Sequence, residues 1–399
     1  MDTEHSAAYQ MFGITSSLLL TAFLWAPFFR GRFAVERHLP RFATVDQPIS
    51  YDVSLHNLTP KAARDLALIE DLADPRMSWE QFRRQEHWRL VSRRESRRNP
   101  PPRAPRIRTV QVANLAPRSS TEVRCHLTPI KRGTLRFTGI TFGKADPLGM
   151  FRGFVRVAAP QSLLVLPKRY SIPHFPLPGF TRYQRGGVAL AGSVGESEEF
   201  VSLREYRRGD PLRHIHWKSS AKASELIVKE FQDEFFVRHA LILDTFAPDS
   251  KHAEFEEAVS IAASFASTIE KHESLLDLMF VGAQAFCFTA GRGVAHAEQM
   301  LEILAAVQLC HNKPFSSLHE LVIRHSSGLS GCICVLLHWD EPRQQLVRQL
   351  QQLGLPVTVL LVQGRDAMGE VDPGPKKTDP ASFHLLRVGQ IAEGLQRIR

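Results

Sequence analysis

From residue 240 onward, short apolar runs alternate with stretches of helical spacing, and this rhythm constrains the fold more than any other feature of the chain. Ala240 to Asp244, Leu276 to Val281, Ala285 to Thr289, Cys332 to Leu337, Val357 to Val362 and Phe383 to Val388 have the length and apolar content of buried strands. Between them, His252 to His272 repeats Phe255, Val259, Ala262, Ala263, Ala266 and Ile269 at helical intervals. His296 to Leu309, Ser317 to His325, Arg343 to Leu353 and Ile391 to Ile398 read as further helices. Strands that are apolar on both faces must be covered on both sides, so the pattern predicts an α/β domain built on a parallel sheet. Ligands of such sheets bind beyond the carboxyl ends of the strands. Asp244, followed by Thr245, stands at one such end and Asp340 stands just past another.

Residues 33–167 follow a period of two instead. Ile49 to Leu55 alternates apolar and polar until His56-Asn57-Leu58-Thr59-Pro60 breaks it, and Val110 to Val112, Thr121 to Cys125, Leu135 to Phe137 and Ser162 to Leu166 add further strands. Several short strands at close spacing predict a small β-sandwich. An insert at 83–108 interrupts it with ten arginines against Glu86 and Glu95, a local charge of +8 out of a total of +9, and with Pro100, Pro101, Pro102 and Pro105. Those prolines exclude a central strand. The insert reads as a solvated loop, or as a contact to anionic lipid headgroups. Specific nucleic-acid binding is not expected, since Trp88 is its one stacking candidate. A Pro- and Gly-rich linker at 168–197 leads to the third part, 198–399. The linker ends in no Gly-Lys-Ser/Thr, which excludes a phosphate loop.

The five cysteines have no metal-type spacing, and Cys332 and Cys334 flank Ile333 as small buried residues on one strand face. Within residues 1–32, Met11 to Phe29 carries no charge over 19 positions. At about 1.5 Å per helical residue this run spans about 28 Å, near the roughly 30 Å of a bilayer core. Arg30, Arg32, Arg37 and Arg41 follow it, whereas Asp2 and Glu4 precede it. These observations lead to the expectation of a single-pass transmembrane helix at about 11–29 in the inner membrane, with the bulk of the chain in the cytoplasm.

Residues 195–231 combine both signs of charge with aromatic anchors. The ordered set F-x-x-L-R-x-Y-x-x-G-D-x-x-R-x-I-H-W-K-x-S-A, then L-x-V-K-E-F, places Phe200, Leu203, Arg204, Tyr206, Gly209, Asp210, Arg213, Ile215, His216, Trp217, Lys218, Lys229 and Glu230, preceded by Glu198. This set resembles the signature of the bacterial domain of unknown function 58 family. Leu127 to Phe151, with its Arg-Gly and Asp-Pro-x-Gly turns, is also similar to that family. The resemblance implies a von Willebrand factor A-like (Rossmann-like) α/β domain after a small β-sandwich, membrane attachment, and a protein partner of the MoxR-type AAA+ ATPase class.

Metal-binding A domains, to which the region around Asp244 is similar, hold Mg²⁺ through an Asp-x-Ser-x-Ser loop and a second Asp. Here the serine positions are Phe246 and Pro248. Asp244, Thr245 and Asp340 leave most of an octahedral shell to water, so no cofactor is expected. The signature residues then read either as a charge network within the fold or as a docking surface, where Arg, Tyr and Trp dominate energetics. His214 and His216, facing one side of a strand, would with Asp210 permit a hydrolase as the alternative. No nucleophile motif accompanies them, and a non-enzymatic protein-interaction module is the expected function.

Overall fold

The computed structural model describes residues 3–25, 29, 31–73, 105–107, 109–173, 200–208, 210, 212–231, 237–269, 274–290, 294–365, 367 and 371–398. Most of the 83–108 insert, the linker after residue 173, Glu198 and Gly209 lie outside them. The chain divides into two compact units, Met1–Lys168 and Arg169–Arg399.

The first unit begins with helix α1 (Thr3–Trp25) and continues with strands β1 (Phe33–His38), β2 (Phe42–Thr44), β3 (Ile49–Asn57), β4 (Ala63–Leu72), β5 (Arg106–Ile107), β6 (Val110–Leu115), β7 (Ser120–Thr128), β8 (Gly133–Ala145) and β9 (Arg152–Leu166). They form two sheets, ordered β1-β3-β7-β5 and β2-β9-β8-β4-β6. The period of two does what the sequence predicted. Along β3, Tyr51, Val53 and Leu55 are buried while Ser50 and His56 are exposed, and Val123, Cys125 and Leu127 of β7 join the same core as Leu66, Leu68, Phe137, Ile140 and Phe142. The Asp-Pro-x-Gly turn joins β8 to β9. Asp146 is buried there and accepts the amides of Leu148 at 3.0 Å and Phe151 at 2.7 Å, while Gly149 takes a φ of +71°.

The expected anchor is corrected. Among the described residues no helix is long and apolar enough to cross a membrane. The uncharged run of the sequence extends from Met11 to Phe29, and α1 takes in its Met11 to Trp25 part. Over that part Thr15, Ser16, Ser17 and Thr21 dilute the apolarity. The single-pass inner-membrane placement falls with the anchor. Arg37, read as part of the basic flank, lies instead in β1 at the centre of the sandwich.

The second unit starts with strand β10 (Phe200–Glu205), helix α2 (Trp217–Ala223) and strand β11 (Ile227–Phe231). Then come β12 (Val237–Leu243), α3 (His252–Ile269), β13 (Ser274–Val281), β14 (Ala285–Ala290), α4 (Val294–Ala306), α5 (Ser316–His325), β15 (Gly331–Leu336), α6 (Glu341–Gln352), β16 (Val357–Gln363), β17 (Phe383–Arg387) and α7 (Ile391–Gln396). A six-stranded sheet runs β14-β13-β12-β15-β16-β17. Its pairings are parallel except that of β13 with β14, which is antiparallel. Gly282 to Gln284 is too short for a crossover and can only close a hairpin, and this departs from the all-parallel expectation. Cys332 and Cys334 are fully buried, and burial pushes the Cys334 thiol up to about 12, so it stays protonated.

His239 in β12 is 2% exposed, and its Nδ1 has no hydrogen-bond partner. Burial pushes its pKa down to about 4. The unfolded chain takes up this proton near pH 6.5 and the folded unit only near 4, so the unfolded state binds more protons in between. Stability should therefore fall as pH drops from about 6.5 toward 4, by up to about 3 kcal/mol. Urea titrations of the wild type and of His239→Leu across that window check this expectation. The variant should lose that part of the pH dependence, and parallel curves for the two proteins would refute it.

Candidate functional site

The signature folds as a small ribbon-and-helix element. β10 and β11 pair antiparallel, with Leu203 opposite Lys229 and Arg204 opposite Val228. Between them the chain makes a turn of 3-10 helix at Leu212–His214 and then α2. Ile215 bridges to Val228, and both are buried as a miniature core. Ser220 ties the helix to the ribbon: its buried hydroxyl donates to the His216 carbonyl at 3.1 Å and accepts the Ile227 amide at 2.8 Å. The His216 amide donates to the Ile227 carbonyl at 2.8 Å. Ser224, with φ +60°, ends the helix in the left-handed conformation.

One ion pair closes the loop after β10. Arg204 grips Asp210 with two hydrogen bonds, at 2.7 and 2.9 Å, and the Arg207 amide adds a third at 2.8 Å. The Arg204 bonds first, then the Arg207 amide, hold the Asp210 carboxyl down at about 2. Arg204 and Asp210 thus belong to the fold of the element. Other signature residues point outward. Trp217 and Leu212 are each 67% exposed, and Arg213 and Lys218 are exposed beside them. Tyr206 is half-buried, with its amide donating to Leu226.

The histidine pair does not form. His214 ends the 3-10 turn and His216 precedes α2, so they do not share a strand face as the sequence suggested. His216 Nδ1 lies 2.6 Å from the Ser219 hydroxyl, and Arg213 Nε donates to His214 Nε2 at 3.3 Å. Both contacts are local and no shared reaction centre results.

The second candidate region lies where the sheet changes direction. β12 and β15 are neighbours whose onward connections lead to opposite sides, and the crevice beyond their carboxyl ends is the usual ligand position. Asp244 lies just past β12 and is fully buried. Its Oδ1 accepts the Phe246 amide at 2.9 Å and its Oδ2 the Leu337 amide at 3.1 Å. Arg343 of α6, which sequence reasoning passed over, completes the shell. Its Nε and Nη2 donate to Asp244 at 2.9 and 3.2 Å, Nη2 donates to the Phe246 carbonyl at 2.9 Å, and Nη1 donates to Asp340 at 2.7 Å. The guanidinium stacks 4.4 Å from the Phe315 ring centroid.

Asp340 also caps α6 by accepting the Arg343 amide, so the spacing of three that brings its carboxylate to the helix start delivers Arg343 to the crevice. Thr245 donates its hydroxyl to the Val281 carbonyl at 2.5 Å. Lys251 reaches the Leu337 carbonyl and His338 Nδ1, both at 3.1 Å. Burial, and secondarily Arg343, lowers the Lys251 pKa, while burial, then Lys251 and Arg343, lower that of His338.

Residues 202–325 match the sequence model of the family described as "Protein of unknown function DUF58". The chain is also similar to the "Uncharacterized protein YeaD" of Bacillus subtilis (strain 168), with 28% identity over 192 residues, which are 48% of this chain and 46% of that protein. The match thus spans about half the length of the relative. Among solved structures, the chain is similar to a CARDB domain from Pyrococcus furiosus, crystallised in complex with di-metal ions (14% identity, 35% of this chain, 91% of that one, TM-score 0.20). It is similar as well to a PapD-like domain of human CEP192 (10% identity, 34% of this chain, 84% of that one, TM-score 0.20). The expected fold class, a von Willebrand factor A-like domain with a transmembrane helix, is corrected to a mixed α/β chain with sheets and, among the described residues, no spanning helix. What the sequence match and the Bacillus relative support is the resemblance of the signature region to the DUF58 family, a family without an assigned activity.

Proposed function

We propose that the protein acts by docking another protein on the ribbon-and-helix element, and that the docked segment is acidic with apolar anchors. The observation that carries this reading is the exposure of Trp217 and Leu212 next to Arg213 and Lys218, on an element whose own folding uses Arg204, Asp210, Ile215 and Ser220. A large aromatic left in water gains most when a partner covers it, and Trp and Arg are the residue types that dominate such contacts. The surrounding charge favours an acidic partner: Arg207, Arg208, Arg213, Lys218 and Lys222 are exposed, against Glu205 and Glu225. The family resemblance suggests a MoxR-type AAA+ ATPase as that partner, in assembly or envelope maintenance.

The test is titration of the full chain with the purified MoxR-type ATPase of the same organism. Trp217→Ala and Arg213→Ala should each weaken binding about 30-fold, the scale of a hot-spot residue. Both side chains are exposed, so the unfolding midpoint should move little. Equal affinity of the wild type and both variants would overturn this reading.

A further inference from the structure

We infer that the Arg343 guanidinium is the resident cation of the switch-point crevice, standing where a divalent ion would otherwise be held, so that any docking at this crevice proceeds without a metal. Three features of the crevice support it. Both carboxylates that could ligate an ion are committed: Asp244 to two backbone amides and Arg343, Asp340 to Arg343 and to its helix cap. The remaining candidate oxygen, Thr245 Oγ1, is turned to the Val281 carbonyl and is fully buried. Each aspartate already has a guanidinium as its cation, since Arg343 donates to Asp244 and to Asp340, and Lys251 adds a second positive charge beside them.

A guanidinium suits this position for geometric reasons. Its planar fork satisfies both Asp244 oxygens while a third direction reaches Asp340 and a fourth the Phe246 carbonyl. A metal would need at least four oxygens pointing at one centre, and here the oxygens point at separate N–H groups. The inference rests on this geometry alone and does not depend on where a partner protein docks.

The experiment compares the full-length wild type with Arg343→Ala, reading the thermal midpoint and direct Mn²⁺ binding by loss of the free-ion paramagnetic resonance signal. The wild type should show neither a shift with millimolar Mg²⁺ or Mn²⁺ nor stoichiometric Mn²⁺ binding. Arg343→Ala should melt about 10 °C lower, because a buried carboxylate has lost its partner. Methylguanidinium should restore part of that loss, since it returns a planar cation to the vacated position.

Stoichiometric Mn²⁺ binding by the wild type that Asp244→Ala abolishes would overturn the inference. So would an Arg343→Ala protein that is as stable as the wild type, or one that methylguanidinium does not raise. If Arg343→Ala does not fold, the neutral pair Asp244→Asn/Arg343→Met takes its place. It should fold and respond to neither cation, and a saturable response from it would overturn the inference.

Discussion

Arg37→Ala should destabilise the sandwich by about 3–5 kcal/mol, the range for breaking a buried pair by removing one member. Arg37 and Glu70 are 6% and 4% exposed, and they meet at 2.7 and 3.1 Å. Arg37 comes from β1 in one sheet and Glu70 from β4 in the other, so the pair crosses the core and sets how the two sheets lie together. Tyr51 of β3 donates its hydroxyl to the same carboxylate at 2.9 Å, and Arg37 also donates to the Ala159 carbonyl at 3.1 Å and stacks 4.4 Å from Phe137. Burial first, then the Glu70 charge, raises the Tyr51 pKa, so the phenol remains a donor throughout the accessible pH range. With alanine at 37, Glu70 is left in an apolar core with one phenol as its partner.

Glu70→Gln should cost less than Arg37→Ala, because the amide oxygen still accepts from Tyr51. The triple change Arg37→Met, Glu70→Leu, Tyr51→Phe removes every member of the network at similar volume and should recover most of the loss. Urea denaturation of the four proteins measures these differences. An Arg37→Ala protein within about 1 kcal/mol of the wild type would show that the network contributes no more than a surface pair does.

The elements that were legible in the chain are those whose signal is local. Period two in Ile49 to Leu55 and the alternation of apolar strands with helices after residue 240 survive because each side chain's face follows from its own position. The hairpin of β13 and β14 carried a local sign too, three connecting residues that include Gly282, but a strand-helix rhythm read across the whole domain hid it. The spacing of two would put His214 and His216 on one face of a strand, whereas the chain turns at Leu212–His214 and breaks that register.

The two charges that matter most were the hardest to read. Arg37 stands in a basic cluster beside an apolar run and Arg343 opens an amphipathic helix, both ordinary surface positions by sequence. Their burial depends on Glu70, 33 residues away, and on Asp244, 99 residues away. A weak sign of the first existed, since Phe33, Val35 and Arg37 fall on one face of β1. No spacing rule links Arg343 to Asp244. The signature stands out in the sequence as an unusual stretch, yet the sequence could not divide it into Arg204 and Asp210, which close a loop, and Trp217 and Leu212, which face solvent.

Asp244→Ala is expected to have a comparable effect in the second unit, about 3–5 kcal/mol. Its carboxylate does two jobs. Toward the backbone, it accepts the amides of Phe246 and Leu337 and so fixes the chain where it leaves β12 and β15, the adjacent strands at the centre of the sheet. Toward α6, it neutralises Arg343, which is 5% exposed and would keep Asp340 and the Phe246 carbonyl as its remaining acceptors. Alanine leaves two buried donors and half of a guanidinium fork without acceptors. Asn keeps one acceptor, so Asp244→Asn should lose roughly 1–3 kcal/mol.

Hydrogen exchange separates the two jobs, because the amides of Phe246 and Leu337 should lose more protection than their neighbours in Asp244→Ala but not in Arg343→Met. In a double-mutant cycle the two sites should couple by roughly 0.5–3 kcal/mol, as contacting charged residues do. Additive losses with unchanged protection at both amides would mean that the carboxylate, although fully buried, holds neither the strand ends nor the helix.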